Sequence, residues 1–388
     1  MKKVCSMFSQ LLPLIPRREF DLALRESGGE KGAKGFSSWD QCVAMLFCQL
    51  GRARSLREIC GGLASAAGKV VHLGMAKAPS KSTLAYANEN RSYRTYELLF
   101  YAMVKQFSAE FQGRHKFRFK NKLLSLDATV IDLSLSMYDW AHFRRTKGAV
   151  KLHLQLDHDG YMPCFAVITD GKQHEVKVAR GMSFQAGTIV VFDRGYPDFG
   201  WWAQLTRDKV FFVTRAKVNV ACEVVAEHAV PQGKKVLRDE SIRFTTPKAR
   251  QDHPEMLRRV TILDETSGKE LQFLTNNFKL SSATIAAIYK DRWAIELFFK
   301  AIKQNLKIKT FLGTTANAVM TQIWTALIAM LLLKYLKHKA KFPWSLSNLL
   351  ALLQLSLFNH RDLYEWLDRP FAVPPDIIEA KQLTLALA

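Results

Sequence analysis

Two aspartates that accompany apolar runs are the residues of this 388-residue chain best suited to metal chemistry. Asp127 lies inside the run LLSLDATVIDL at positions 123–133, and Asp193 directly follows the run TIVVF at positions 188–192. An ionised carboxylate in such a setting is costly unless a cation or hydrogen-bond donors compensate it. Each aspartate alone also fits a simpler role as a cap or turn residue. As a pair on two central strands, they favour a divalent metal site.

A third group of polar residues has helical spacing. On a helical wheel, the side chains of Tyr289, Arg292, Glu296 and Lys303 fall within roughly 60° of one another. They border an apolar stripe made of Ile288, Ile295, Phe299, Ile302 and Leu306. The alternative interpretation is a solvated face with an Arg292–Glu296 ion pair, which contributes only a few tenths of a kcal/mol. Because the polar stripe touches the apolar stripe instead of opposing it, we favour a functional face.

Three carboxylates and a row of cationic donors suit two-metal phosphoryl transfer. Two ions about 3.5–4 Å apart can activate the attacking oxygen and stabilise the leaving one. Mg²⁺ fits because it prefers oxygen ligands, keeps several waters and shares the substrate phosphate. Arg292 and Lys303 would hold neighbouring phosphates, the first as a planar fork and the second as a point charge. The sequence therefore predicts phosphate chemistry carried by Asp127, Asp193 and Glu296.

The elements that must position these side chains are predicted to form a mixed α/β sheet. Strands are predicted at 123–133, 150–156, 162–169, 188–192 and 210–215, with helices at about 175–184 and 198–209. Three successive strands followed by alternating strands and helices suit a mixed sheet covered on both faces. Short alternating runs at about 218–278 predict an inserted β subdomain. Helices are then predicted at 282–309, about 316–337 and 345–358.

The first part of the chain is predicted to be helical and basic. Capping boxes at 38–41 and 55–58 open two apolar-periodic helices, and a third is predicted at about 82–107. Residues 1–118 hold 19 Lys and Arg against 9 Asp and Glu. A DNA-binding domain is one interpretation, and a helical dimerisation or packing domain is the other. We therefore divide the chain into an N-terminal helical domain (1–118), a catalytic core (119–312) and a C-terminal helical region (313–388).

The composition favours a globular protein that binds a polyanion. The formal charge is +21, and a charge of that size repels itself unless nucleic acid or an anionic membrane surface neutralises it. The apolar run at 323–333 is too short to span a bilayer and predicts a buried core helix. The six cysteines include no C-x-x-C pair, which indicates reduced thiols. We expect a cytoplasmic protein with no membrane segment.

The spacing Y-x2-R-x3-E-x6-K at 289, 292, 296 and 303 resembles the signature of DDE transposases of the insertion-sequence-four family. Asp127 in its strand, the turn Asp193-Arg-Gly-Tyr196 and the β-rich insertion before the Glu296 helix also match that layout. The resemblance covers about residues 119–336. It implies an RNase H-like catalytic core, in which Asp127, Asp193 and Glu296 bind the metal.

The resemblance also implies the substrate. Tyr289, Arg292, Lys303 and Arg194 are expected to contact double-stranded DNA near the element's end. Such enzymes cut at inverted terminal repeats and join the freed 3′-hydroxyl to target DNA, usually as a homodimer in a synaptic complex. We expect Mg²⁺ as the cofactor, with Mn²⁺ able to substitute, and association with the bacterial nucleoid.

The sequence leaves open two alternative functions and whether a hairpin DNA intermediate forms. An RNase H-like nuclease that cuts without joining, or a non-catalytic DNA-binding regulator derived from a transposase, would carry similar residues. Some family members hold a flipped base on a Trp of the insertion during hairpin formation, and residues 218–278 contain no Trp. Phe244 or Phe273 could substitute, since any aromatic face can stack on a base.

Overall fold

The computed structural model describes residues 5–30, 35–66, 69–111, 115–134, 138, 140–144, 147–217, 220–230 and 235–372. The helices before the sheet are α1 (Met7–Leu11), α2 (Arg17–Ser27), α3 (Ser38–Leu50), α4 (Leu56–Ala64), α5 (Lys81–Asn90) and α6 (Arg94–Ser108), with 3₁₀ turns at Leu12–Leu14 and Lys69–Leu73. The first six strands are β1 (Leu123–Leu133), β2 (His142–Arg144), β3 (Lys147–Asp157), β4 (Met162–Asp170), β5 (Ile189–Phe192) and β6 (Phe211–Arg215).

The remaining elements follow in chain order. Helices α7 (Glu175–Arg180) and α8 (Phe199–Arg207) flank β5. The β-rich segment contains β7 (Cys222–Glu227), β8 (Val236–Phe244), α9 (Pro247–Asp252), β9 (Leu257–Asp264) and β10 (Lys269–Thr275). The chain then forms α10 (Ser282–Asp291), α11 (Trp293–Asn305), α12 (Ala316–Lys339), α13 (Leu346–Ser356) and α14 (Leu363–Asp368).

All ten strands belong to one mixed sheet, as the sequence predicted for its class. The order is β2-β3-β1-β5-β6-β10-β9-β8-β7, and β4 pairs with β3 beside β2. β1 pairs with β3 in antiparallel orientation, and β3 with β4 likewise. β1, β5 and β6 run parallel. This central parallel group is the part of the sheet that carries the two aspartates.

The β-rich segment consists of strands, as predicted, but these strands extend the central sheet instead of forming a separate subdomain. β10 pairs with β6 in antiparallel register, with Phe273 opposite Arg215 and Thr275 opposite Val213. The edge of β6 that β5 leaves open is therefore used by β10, which removes an exposed strand edge. Alternating short runs cannot reveal such pairing, because they describe the faces of a strand and not its neighbour.

Both faces of the sheet are covered. Val190, Phe192 and Phe212 pack on one face with Trp201 and Trp202 of α8. On the other face, alternate residues of the same strands pack with Ile285 and Ile288 of α10. The alternation follows from the two-residue period of a strand, so the wholly apolar β5 serves both sides.

The N-terminal and C-terminal helices share one hydrophobic core around α12. This helix packs against α3, α5 and α6. It is long and apolar enough to cross a membrane on those two criteria, yet 83% of its most apolar stretch is buried within the protein. The buried side chain of Gln49 in α3 donates a hydrogen bond at 3.3 Å to the backbone carbonyl of the buried Gln322 in α12. Residues 323–333 lie within the buried helix α12, as the prediction of a core helix required. The contacts of α12 with α3, α5 and α6 are also consistent with a packing role for the N-terminal helices.

Three helix boundaries differ from the predicted ones. The first capping box uses Ser37 as the N-cap, with Asp40 as its reciprocal partner, one residue before the predicted start. The helix predicted over 82–107 is two helices, because the chain is extended at Arg91. The helix predicted over 282–309 is also two, α10 and α11. They meet at Arg292, where the 3.1 Å hydrogen bond from the Ile295 amide to the Arg292 carbonyl tightens the turn.

Candidate active site

The parallel strands bring Asp127 and Asp193 side by side. β1 and β5 are in register from Leu123 opposite Ile189 to Leu126 opposite Phe192. Asp127 directly follows Leu126, and Asp193 directly follows Phe192. The parallel register therefore places the two aspartates next to each other. Asp127 Oδ1 accepts a hydrogen bond from the Ala128 amide at 2.8 Å, and Asp193 Oδ1 accepts one from the Gly195 amide at 2.7 Å. The backbone thus orients one oxygen of each carboxylate.

Arg292 connects the strand carboxylate to the helix carboxylate. Its Nη1 lies 3.4 Å from Asp127 Oδ2, and its Nη2 donates to Glu296 Oε1 at 2.5 Å. The Arg292–Glu296 ion pair, which the sequence offered as the alternative to a functional face, is therefore present. The Arg292 side chain is 10% exposed, Asp127 is 19% exposed and Glu296 is 32% exposed, so the pair is partly buried. Arg292 supplies the positive charge that these two carboxylates need.

The donor set suits a hard divalent ion once Arg292 withdraws. In the described ranges, no three His, Cys, Asp or Glu side chains are arranged to hold a metal ion as they stand. The Arg292 guanidinium contacts both Asp127 and Glu296. Asp193 Oδ1 is packed closely against Gly195, since a Cβ at that position would lie only 2.7 Å from it. The carboxylate oxygens of these residues are the kind of ligand that Mg²⁺ prefers.

The electrostatics at Asp127 also favour a cation. Burial, together with the negative charges of Asp193 and Glu175, raises the pKa of Asp127 to about 7. This is the net result, because the Ala128 amide and the Arg292 guanidinium act to lower the pKa. A carboxylate whose ionised form is disfavoured by its surroundings is stabilised when a divalent cation binds beside it.

The four residues predicted to contact DNA lie in different settings. The Arg292 guanidinium carbon lies 5.5 Å from the centre of the Tyr289 ring. The Lys303 ammonium donates to the Val130 carbonyl of β1 at 2.7 Å, and burial lowers its pKa. Arg194 is exposed beside Asp193. The structure therefore groups Tyr289 with Arg292, places Lys303 further along β1, and leaves Arg194 facing solvent.

A large basic cavity reaches the site from the side of the β-rich segment. It has a volume of about 1230 Å³, and both Tyr289 and Arg292 line it. Further cationic side chains on its wall are Arg215, Lys235 and Lys290. The acidic Asp264 and Glu265 also line it, and Lys235 is paired with Glu265, so the wall keeps a smaller net positive charge. A cavity with this charge and an aromatic wall can accept a phosphodiester chain.

The suggestion that Phe244 or Phe273 replaces the missing Trp is wrong. Phe244 is 2% exposed and packs against Phe199 with ring centres 4.4 Å apart. Phe273 is 1% exposed and lies against Tyr289 at 4.7 Å. Phe244 is covered by the core, and Phe273, which lies at the wall of the cavity, has almost no exposed surface on which a base could stack.

Sequence reasoning missed a buried hydrogen-bonded chain behind the site. His158 Nε2 lies 2.7 Å from the Ser125 hydroxyl, and His158 Nδ1 lies 2.7 Å from Asp291 Oδ2. Ser125 and His158 have no solvent exposure. Ser125 is two residues before Asp127, and Asp291 directly precedes Arg292. The position of Asp291 next to that arginine was a usable signal, whereas nothing in the sequence pointed to His158.

Comparison with known proteins gives the class of this fold and site. Residues 118–332 match the family described as "Transposase DDE domain". Residues 4–76 match a second family, described as "Domain of unknown function (DUF4372)". The first match spans the sheet, both aspartates and the helix that carries Glu296, and it covers more than half of the chain.

Named relatives agree with that match. A "Putative transposase y4zB" of Sinorhizobium fredii is 33% identical over 301 residues, which are 76% of this chain and 82% of the relative. A "Probable transposase for insertion sequence element IS5377" of Geobacillus stearothermophilus is 30% identical over 232 residues, 59% of this chain and 60% of the relative. A "Putative transposase for insertion sequence element IS4SA" of Synechocystis is 26% identical over 291 residues, 74% of this chain and 80% of the relative. The chain belongs to the transposase DDE domain family, and it is a DNA transposase.

Proposed function

We propose that this transposase cuts DNA at insertion-sequence ends and transfers the freed strand to target DNA by Mg²⁺-dependent phosphoryl transfer. Asp127, Asp193 and Glu296 are the residues that hold the metal. The observation that carries this assignment is the in-register pairing of β1 with β5, which sets the two aspartates side by side and within reach of the Arg292–Glu296 pair. When bound, Mg²⁺ activates the attacking oxygen and stabilises the leaving one.

Arg292 has two successive roles in this proposal. Without DNA, its guanidinium contacts both Asp127 and Glu296 and offsets part of their negative charge. When a phosphate enters, the same planar fork is free to bind two phosphate oxygens. Tyr289 holds the guanidinium from the other side, and the basic cavity that both residues line receives the DNA strand. Arg194 and Lys303 contribute further phosphate contacts.

The architecture supports the finer classification. We assign the strands β4-β3-β1-β5-β6 to an RNase H-like core, because three antiparallel strands are followed by parallel strands with a helix between them. We also propose membership of the insertion-sequence-four family, on the spacing of Tyr289, Arg292, Glu296 and Lys303. The domain division at 118 and 312, a homodimer in the synaptic complex and a cytoplasmic location on bacterial DNA remain parts of this proposal.

The decisive experiment removes one carboxylate. Asp193→Asn keeps the size of the side chain but loses its charge, so Mg²⁺-dependent cleavage of a DNA end is expected to fall by at least about 10²-fold with DNA binding retained. Asp208→Asn, at an exposed position after α8, is the matched control and is expected to cleave like the parent. Equal cleavage by Asp193→Asn and the parent would contradict the site. Joining of the 3′-hydroxyl to target DNA in the same assay distinguishes a transposase from a nuclease.

A further inference from the structure

The turn between β3 and β4 reaches the residue that precedes Arg292. The Tyr161 hydroxyl, in this turn, donates to both carboxylate oxygens of Asp291, at 3.3 Å to Oδ1 and 3.2 Å to Oδ2. His158, in the same turn, lies 2.7 Å from Asp291 Oδ2 through its Nδ1. Asp291 is the last residue of α10, and its side chain is 8% exposed. One turn therefore holds the end of α10 through two side chains.

The backbone of this turn is strained at Tyr161. Its φ is 53°, in the left-handed region that residues with a side chain rarely adopt. Gly160 before it also has a positive φ, 70°, and a Cβ there would collide with the Phe111 ring. Strain of this kind persists only where the surrounding contacts hold the residue in place. The contacts of Tyr161 therefore keep its side chain in one position.

The C-terminal helical region supplies one of those contacts. The Lys334 ammonium of α12 donates to the Tyr161 backbone carbonyl at 2.5 Å. Burial lowers the pKa of this lysine to about 7, and the same ammonium lies 5.6 Å from the centre of the Phe298 ring of α11. The turn is thus fixed at its backbone by α12, while its tyrosine hydroxyl contacts Asp291.

Two simpler roles of the Tyr161 hydroxyl are a direct contact with DNA and a plain hydrogen bond to a buried acid. A contact with DNA is sterically open, because Tyr161 and Asp291 line a cavity of about 490 Å³ whose wall also carries Lys116 and Lys290. A plain hydrogen bond is less needed, since Lys116 and His158 already contact the Asp291 carboxylate. The hydroxyl adds contacts to both oxygens, and these fix the plane of the carboxylate.

We propose that Tyr161 is a positioning residue for the phosphoryl-transfer reaction, which acts through Asp291 on Arg292. The inference rests on the proposed function, in which Arg292 binds the DNA phosphate. Arg292 directly follows Asp291 and forms the junction of α10 and α11, so a shift of Asp291 moves the guanidinium. Displacement of a substrate-positioning group by about 1 Å can slow a reaction about 10²-fold. Tyr161 limits this displacement without touching the DNA.

The test compares two tyrosines that each lose one hydroxyl. Tyr161→Phe is expected to slow single-turnover cleavage at saturating DNA and Mg²⁺ about 10-fold, while the Kd for a DNA end stays within about twofold of the parent. Tyr101→Phe is the matched control and is expected to cleave like the parent, because its hydroxyl donates to the Ala166 carbonyl at 2.7 Å and not to Asp291. Burial is the main cause that raises the pKa of both tyrosines to about 12, so the two hydroxyls lie in comparable surroundings.

A double-mutant cycle shows whether Tyr161 acts through the arginine. Arg292→Lys alone is expected to slow cleavage about 10²-fold, because a lysine cannot form the planar fork. Adding Tyr161→Phe to Arg292→Lys is expected to slow cleavage less than about twofold further, since the group that Tyr161 positions is already gone. Losses that multiply in the double variant would overturn the inference. A weaker Kd at an unchanged cleavage rate in Tyr161→Phe would also overturn it, in favour of a direct DNA contact.

The same variants separate this inference from the proposed function. Parental cleavage by Arg292→Lys would refute the phosphate-binding role of Arg292, and the role of Tyr161 with it. Slow cleavage by Arg292→Lys, with parental cleavage by Tyr161→Phe, would refute only the role of Tyr161. Equal slowing in Tyr161→Phe and Tyr101→Phe would show a general effect of a lost hydrogen bond and would likewise refute the positioning role.

Discussion

At the scale of single residues, Arg292 is the side chain that organises the site. Partly buried carboxylates require compensation, and this guanidinium provides it to Asp127 and Glu296 at once. In the proposed metal site, Arg292 and a divalent ion would compete for the same carboxylate oxygens. Metal binding would then require the arginine to move, and in our proposal a DNA phosphate beside Tyr289 would give it a new partner.

Asp127 supplies a residue-scale prediction on stability. An acid whose pKa is raised to about 7 keeps a proton in the folded state that the unfolded chain releases at about pH 4. Folding stability therefore falls as pH rises through that window. Asp127→Asn removes this loss, so the metal-free variant is expected to be more stable than the parent at pH 8 by up to about 4 kcal/mol.

Urea denaturation in the presence of a chelator measures this difference. At about pH 4, the folded parent holds the proton and the unfolded parent holds about half of it, so the gain is expected to shrink to roughly 0.5 kcal/mol. A stability difference that does not change between pH 4 and pH 8 would show that Asp127 is ionised in the folded, metal-free protein.

At the scale of elements, the junction of α10 and α11 is held by β1 through a buried histidine. His158, after β3, is hydrogen-bonded on one side to Ser125 and on the other to Asp291. Lys116 is also paired with Asp291. Burial alone raises the pKa of Asp291, but the hydrogen bonds from His158 and Lys116 outweigh it and the net pKa is lowered. This chain sets the position of Arg292 relative to Asp127.

Replacing His158 tests that arrangement. His158→Leu leaves a buried hydroxyl and a buried carboxylate each short of a partner, so the expected loss of folding stability is about 2–4 kcal/mol. Thermal or urea unfolding at neutral pH measures it. His228→Leu, which removes an exposed histidine bonded to Ser241, is expected to stay within about 0.5 kcal/mol of the parent. If both variants unfold alike, the buried chain does not stabilise the junction.

At the scale of the whole molecule, the charge of +21 determines how the protein meets DNA. The logarithm of DNA affinity is expected to fall linearly and steeply with the logarithm of salt concentration, because each neutralised phosphate releases counterions. Arg194→Gln is expected to reduce the slope by about 1, as for one lost phosphate contact. Arg207→Gln, at an exposed position on α8, is expected to leave the slope unchanged. Fluorescence anisotropy at several salt concentrations tests both, and a flat response would contradict the electrostatic argument.

Shared packing is the other whole-molecule feature. The N-terminal helices and α12 have one core, and Gln49 also accepts a hydrogen bond at 2.8 Å from the Lys307 amide just beyond α11. Gln322 donates to the Lys307 carbonyl at 2.6 Å. The first 118 residues therefore support the end of the helix that carries Glu296. Their DNA-binding role stays a prediction.

Local patterns were enough to identify β1 at its observed bounds and the aspartate at the end of β5, and helical spacing offered the Arg292–Glu296 contact as an alternative interpretation. Each of these depends on a period of two or 3.6 residues, or on a neighbour four positions away. The mixed sheet followed from the order of such elements. Their success has a common reason, which is that the interacting groups are close along the chain.

Contacts between distant parts of the chain needed the folded structure. The position of Arg292 between two carboxylates, the joining of β10 to β6 and the burial of Phe244 and Phe273 all depend on strand register and helix packing. A residue type and its spacing leave such contacts undetermined, because many registers satisfy the same local pattern. Tertiary packing selects one register, and this choice determines which charged side chains come into contact.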